Sequence, residues 1–374
     1  MAKKHPVAVA IVAAALSASV SAAPSVNFYG FVDIGLETYS SSAANGTDVY
    51  PNSGSDDPAN RSNSNSDARE FALTNGVQSR LGVRGSEDLG DGWSSSYRIE
   101  ARINVLDDGG NFARTRLGWI GLAKGEHSVK VGAQWSPFLE YSGWNTNRNE
   151  VQGMGSYFYI TEALPGSVGY GYRNDSTINY TYGGGGFSTS PFTATLALHI
   201  AEDDRTVTVD GDDELANDSG ITAVTVGAAT TFAGLTLNAV AIQSVVKESD
   251  AAKSVNAELS APMIYSVGGK YVVNNAWNFG LAYRVAERDS GGDDKRTSAT
   301  LSAQYHASEK LTLNLGYAVG EDDDATQRQL DADIFGSAYY QLAGSRLIGF
   351  EFEKADYGRD GESQAMLLSM RQNF

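Results

Sequence analysis

Seven basic residues recur at the spacing of one strand face: Arg80 and Arg84, Arg98 and Arg102, Arg114 and Arg116, and Lys130. Members of each pair lie two or four residues apart, so they share one side of an extended chain. Residues of the opposite parity are apolar: Leu81 and Val83, Tyr97, Ile99 and Ala101, Leu117 and Trp119, Val129, Val131 and Trp135. On a lipid-facing surface each cation would cost roughly 2–4 kcal/mol at the midplane. In a dry core an unpaired charge would be worse still. A water-filled lumen tolerates them. The chemistry of such a wall is electrostatic, a field that acts on solutes passing it. Glu100 lies between Arg98 and Arg102 on the same face, and Gln134 follows Lys130.

After this wall comes Pro137–Ser167, rich in Gly, Asn and Tyr, with Glu140, Glu150 and Glu162. Long loops in compact folds are usually functional. Folded inward, its carboxylates would face the cations, with Asn147, Arg148, Asn149, Gln152 and Gly153 near the tip. Opposed charges across a narrow aperture screen solutes by size and charge without tight binding. An outward surface loop with scattered charge is the alternative.

Catalytic signals are weak. The four histidines, His5, His127, His199 and His306, are scattered singly, the first in the leader, the second in a turn, and read as solvent-facing. No nucleophile elbow, P-loop or zinc helix occurs. With no cysteine, disulfides and thiolate metal sites are excluded. No cofactor or metal is expected. A formal charge of -17 argues against nucleic acid, which needs a basic face. Acidic blocks at Glu202–Glu214 and Glu321–Asp324 read as solvated loop tips; divalent-cation bridging is the alternative, although their spacing fails a dedicated calcium loop.

The elements that position the wall are strands. Val26, Phe28, Val32, Ile34 and Leu36 alternate with Asn27, Asp33 and Glu37. Ile178, Tyr180 and Tyr182 alternate with Thr177, Asn179 and Thr181. Trp277, Phe279, Leu281, Tyr283 and Val285 oppose Asn278 and Arg284, and Leu311–Val319 repeats the pattern. Period-two alternation of this length marks strands with one apolar and one polar face. Short turns, Gly183–Gly186 among them, alternate with longer polar loops and delimit about sixteen strands. The fold class is therefore all-β, a transmembrane antiparallel barrel, with the third long loop expected to fold inward. A closed barrel satisfies every backbone hydrogen bond in lipid. Tyr, Trp and Phe near strand ends fit interfacial girdles.

Residues 1–22 read as a secretory signal peptide: Lys3 and Lys4, an apolar run from Val7 to Leu16, then small residues, with cleavage after Ala22 or Ala23. The run is too short to span a bilayer comfortably. Its removal takes the charge from -17 to -19, since Lys3 and Lys4 leave with it. Residues 23–374 then form one barrel domain.

Four stretches, Phe28–Leu36, Ser79–Asp88, Thr115–Leu122 and Val131–Pro137, resemble the general Gram-negative porins. They read FYGFVDIGL, SRLGVRGSED, TRLGWIGL and VGAQWSP, and Tyr172-Arg173-Asn174 resembles the opening of the family's sixth strand. Phe374, after Met366, Leu368 and Met370 on one face, looks like the family's C-terminal assembly signal. The resemblance implies a passive diffusion channel of sixteen strands in the outer membrane, reached through the periplasm. It implies a homotrimer among lipid and lipopolysaccharide, assembled by the barrel-assembly machinery and passing small hydrophilic solutes. The family's wall arginines carry over to Arg80 and Arg116; a third wall cation of some members aligns with Gln134. The family's Pro-Glu-Phe-Gly-Gly of loop three is absent, and Glu150-Val151-Gln152-Gly153-Met154 stands there. Competing readings are a sugar- or anion-selective channel, a membrane hydrolase barrel and a soluble adhesin.

Overall fold

A computed structural model describes residues 24–41, 69–75, 79–106, 113–146, 173–200, 205–209, 212–217, 220–245, 263–287, 295–322, 330–358 and 361–374. For Tyr39, Ser41, Arg69, Glu70, Ala113, Arg114, residues 205–209 and 212–217 and Asp322 only the backbone is described. The expected leader, 1–22, lies outside these residues.

The chain opens with β1 (Asn27–Ser41), β2 (Arg69–Thr74), β3 (Arg80–Gly90), β4 (Trp93–Ile103), β5 (Ala113–Lys124) and β6 (His127–Trp135). A π-helical turn over Leu139–Gly143 and an α-helical turn over Trp144–Thr146 follow. Next come β7 (Arg173–Tyr182) and β8 (Phe192–Ile200), then a hairpin of β9 (Arg205–Val209) and β10 (Asp212–Asn217). The second half is a meander: β11 (Ile221–Phe232), β12 (Leu235–Ser244), β13 (Met263–Val272), β14 (Trp277–Glu287) and β15 (Lys295–His306). It finishes with β16 (Leu311–Asp322), β17 (Leu330–Gln341), β18 (Arg346–Asp356) and β19 (Glu362–Asn373).

Each barrel strand pairs antiparallel with its neighbours, and β1 pairs with β19 from Phe31↔Asn373 to Ser41↔Ser363, which closes the sheet. β2 and β3 both lie on β1, so they are two pieces of one stave, and the barrel has sixteen staves. At the break, side chains replace ladder bonds. The Asp33 amide donates to Ser79 Oγ at 2.9 Å, and Ser79 Oγ donates to Asn75 Oδ1 at 2.7 Å. Asn75 Nδ2 in turn donates to the Ile103 carbonyl at 2.8 Å.

The two faces sort as the alternation predicts over most staves. Phe28, Ile99, Leu281, Leu315 and Met370 are exposed on the outside, while Thr177, Asn179, Ser302, Asn314 and Ser337 are buried on the inner wall. No helix among the described residues is long and apolar enough to cross a membrane.

Sequence periodicity misreads β5. Leu117 and Trp119 were expected on the lipid face, yet Leu117 is fully buried, Trp119 is half-buried, and Ile120 and Leu122 are the exposed pair. The cause is a bulge: Glu100 pairs with Leu117 and Ala101 with Thr115, with Arg116 the extra residue between them. One extra residue inverts the parity beyond it. A second register shift falls between Gly132 and Gln134 in β6. Three further expectations change. The Gly183–Gly186 turn is longer, since β8 begins only at Phe192. His127 opens β6 rather than sitting in a turn, and His199 is buried in the inner wall, its Nε2 2.8 Å from Thr225 Oγ1.

Candidate functional site

The inner wall of β1 and β3–β5 converges on one carboxylate. Glu100 has no exposed side-chain surface. Arg98 Nη2 donates to its Oε2 at 2.7 Å and Arg116 Nε to its Oε1 at 2.9 Å. Arg80 Nη1 lies 3.6 Å from Oε1. The Tyr29 hydroxyl donates to Oε2 at 2.9 Å and accepts from Arg98 Nε at 2.6 Å. Charge-assisted bonds of this kind are short and about twice as strong as neutral ones. The bulge makes Arg116 the extra residue opposite Glu100 and Ala101, and from there it reaches the carboxylate.

Tyr29 reaches Glu100 only because Gly82 stands opposite it on β3. A Cβ at Gly82 would lie 2.4 Å from the Tyr29 ring carbon Cζ, well inside contact distance. Two aromatic rings then sit among guanidinium groups. Arg84 and Arg98 lie 5.1 and 5.0 Å from the Tyr29 ring centre, and Arg80 and Arg371 lie 4.4 and 4.3 Å from that of Phe31. Cation–π contacts contribute about 0.5–2 kcal/mol each according to exposure. Arg371 on β19 also donates from Nε to Asp33 Oδ2 on β1 at 2.7 Å, across the closing seam. The charges of Arg116, Arg173 and Arg371 all bear on Arg80.

Of the expected wall cations, Arg80, Arg98 and Arg116 gather on Glu100, and Arg84 joins through Tyr29. Lys130 Nζ lies 4.8 Å over the Trp119 ring, and Arg102 is half-buried on β4. The Arg114 backbone pairs with Arg102, but its side chain is outside the described residues. Gln134 is buried and donates to Thr177 Oγ1 at 3.1 Å, tying β6 to β7. Arg173 on β7 stacks 5.8 Å from the centre of the Trp135 ring.

The segment after β6 lies against a different part of the inner wall. Tyr141 shares a hydrogen bond with Thr195 at 2.9 Å, and its ring fills the space a Cβ at Gly227 would need. Ser142 pairs with Ser266 at 2.6 Å, and Asn145 Nδ2 donates to Asn238 Oδ1 at 3.1 Å. Arg284, fully buried on β14, donates to Thr146 Oγ1 at 3.2 Å and to Thr300 Oγ1 at 3.1 Å. Ser136–Thr146 thus lies against inward positions of β8 and β11–β15. Glu140 Oε2 accepts the Gly186 amide at 3.3 Å. Burial lifts its carboxyl to about 7, against the opposing pull of Lys130 and that amide. Arg148, Glu150 and Glu162 lie outside the described residues.

The sequence reading set Asp33 and Arg284 on the polar faces of their strands and named Arg173 in a motif, but gave none of them, nor Tyr29, Phe31 or Arg371, a place in the charged wall. The same sorting finds most of them: Asp33 alternates with Val32 and Ile34, and Arg371 follows outward Met370. It also missed inward carboxylates on β17 and β18. The Tyr339 hydroxyl donates to buried Glu351, and Asp333 and Glu353 share a hydrogen bond. Among the described residues no group of His, Asp and Glu is arranged to hold a metal ion.

A family model described as Gram-negative porin matches residues 8–357. A search of curated proteins finds no match. Three solved barrels share the architecture at low identity. OmpF of Salmonella typhi, in complex with daunomycin, is 13% identical with a TM-score of 0.64, over 93% of this chain and 97% of its own. The outer-membrane channel DcaP of Acinetobacter baumannii is 16% identical with a TM-score of 0.63, over 96% and 100%. An anion-selective porin from Comamonas acidovorans is 17% identical with a TM-score of 0.62, over 94% and 100%.

Proposed function

This chain belongs to the Gram-negative porin family, and from that premise we propose that it passes ions and small hydrophilic solutes by passive diffusion through an aperture edged by its arginine wall. As a porin it is an outer-membrane channel rather than an enzyme. The observation that carries the finer reading is the Glu100 cluster. Three guanidinium groups share one carboxylate, which leaves a net positive patch on an otherwise polar inner wall. Such a patch draws anions and slows cations without a binding pocket. Arg84, Arg102, Arg114 and Lys130 extend the wall, and Glu140, Arg148, Glu150 and Glu162 belong to the loop that narrows the pore. Removal of residues 1–22, homotrimer formation, contact with lipopolysaccharide and delivery by the barrel-assembly machinery complete the reading. A trimer form is on record for OmpT of Vibrio cholerae, a barrel of the same fold.

Liposome swelling with uncharged sugars of graded size tests the solute class. A general diffusion pore gives rates that fall smoothly with solute size. One sugar far above that curve would instead favour a substrate-selective channel.

Protonation of Glu140 adds a pH dependence. Its carboxyl titrates at about 7, so the lumen is more negative above that pH and less negative below it. The expected outcome is an anion-to-cation permeability ratio that rises as pH falls from about 8 to about 6, an interval centred on that value. Glu140→Gln flattens this change; an undiminished change in that variant counts against the assignment.

Phe374 serves barrel closure. Its amide and carbonyl exchange bonds with Gly30 at 3.1 and 3.2 Å, and its ring covers the space beside Gly30. Deleting it removes both bonds, each worth about 1 kcal/mol. Folded, heat-modifiable barrel in outer-membrane fractions should drop roughly tenfold or more. A wild-type folded fraction would contradict this role.

A further inference from the structure

The glycine run at Gly183–Gly186 does more than reverse the chain. The β7–β8 connection covers 183–191, whereas the β3–β4, β5–β6 and β11–β12 turns at the same end have two residues each. Gly183, Gly184 and Gly185 have φ of +67°, +89° and +77°, three successive left-handed positions that only glycine adopts at no steric cost. Gly183 and Gly185 are buried, and the connection meets the segment that follows β6.

That contact is close and has two parts. The Gly186 amide donates to Glu140 Oε2, and a Cβ at Gly186 would lie 2.7 Å from the Glu140 carbonyl carbon and 2.8 Å from its Cβ. One residue further on, the Phe187 ring meets Trp144 edge to face, with centres 5.4 Å apart and planes at 74°. Backbone against backbone and ring against ring, the turn grips both ends of the π-helical segment Leu139–Gly143. Ser266 holds Ser142 within that segment, and Asn238 and Arg284 hold Asn145 and Thr146 just beyond it.

We propose that Gly183–Phe187 is a latch that seats Leu139–Trp144 in the lumen and so fixes the size of the open pore. The inference rests on the reading of Ser136–Thr146 as part of the constriction. It assigns the glycine run a positioning role in permeation. Only glycine at 186 lets the two backbones approach this closely, and only an aromatic at 187 closes on Trp144.

Single-channel recording of the full-length protein tests this. The chain has no cysteine, so introduced thiols are unique. Gly186→Ala adds a Cβ that would lie 2.7 Å from the Glu140 carbonyl carbon. It should loosen the seat and bring transitions between conductance levels that the wild type lacks. Gly186→Val and Phe187→Ala should multiply such transitions several-fold and shift the main level. Wild-type records from all three variants would overturn the latch. Trp144→Cys treated with a charged thiosulfonate reagent checks the underlying reading separately, because Trp144 is exposed. Loss of conductance there with silent latch variants sinks the latch alone. No effect of the reagent sinks the constriction reading and the latch together.

Discussion

Replacing Arg80 and Arg116 together by alanine moves the zero-current potential in a salt gradient toward the cation side. The Glu100 cluster carries three guanidinium charges and one carboxylate, so its net charge falls from two positive to zero in the double variant. A unit charge about 4 Å from a passing ion in water is worth about 1 kcal/mol. Two charges therefore change the anion-to-cation permeability ratio by roughly thirtyfold or more. The lumen also widens, because both side chains are largely buried in the wall and leave space behind. Conductance should rise while selectivity changes. An unchanged zero-current potential would mean that permeating ions do not pass this wall.

Glu100→Ala has the largest expected effect on stability. Arg80, Arg98 and Arg116 would then face one another with no carboxylate between them, and the Tyr29 hydroxyl would lose its acceptor. Removing one partner from a buried ionic cluster costs roughly 3–5 kcal/mol. Arg98 is about a quarter exposed, so lumen water screens part of its share and the lower end of that range is expected. The measurement is the urea midpoint of the barrel in detergent micelles. Glu100→Gln should fall between the wild type and Glu100→Ala, since the amide oxygen still accepts. Equal midpoints for all three would remove Glu100 from its place as the organiser of the wall.

The contrast between these residues explains what a reader of the sequence can and cannot see. Lipid outside and water inside impose a period of two, so Phe28, Ile99 and Leu315 announce their faces without a structure. The inward aim of Arg80, Arg84 and Arg98 follows from the same rule. Arg116 also faces inward, but for a reason the period hides. The bulge beside it reverses parity, so Leu117 and Trp119 turn inward with it. Bulges and breaks depend on how two strands meet, and neither strand alone records them. The split of one stave into β2 and β3 is of this kind, settled by Ser79 and Asn75. The β9–β10 hairpin looks like a polar loop in the sequence because its acidic composition outweighs its short alternation. Asp33 and Arg371 lie 338 positions apart and meet only once the barrel closes. Glu100 could be placed on the inner face by parity, but its grip on three arginines needs the register of β3, β4 and β5. The inward turn at Gly183–Phe187 left one trace in the sequence, a run of glycines longer than a hairpin requires.

Electrical recording in planar lipid bilayers tests the central claim most directly. Purified protein added to one side should produce discrete upward steps of current, linear in voltage at low field and present without any added substrate. Bilayers that stay silent with correctly folded, heat-modifiable protein would contradict a water-filled diffusion pore.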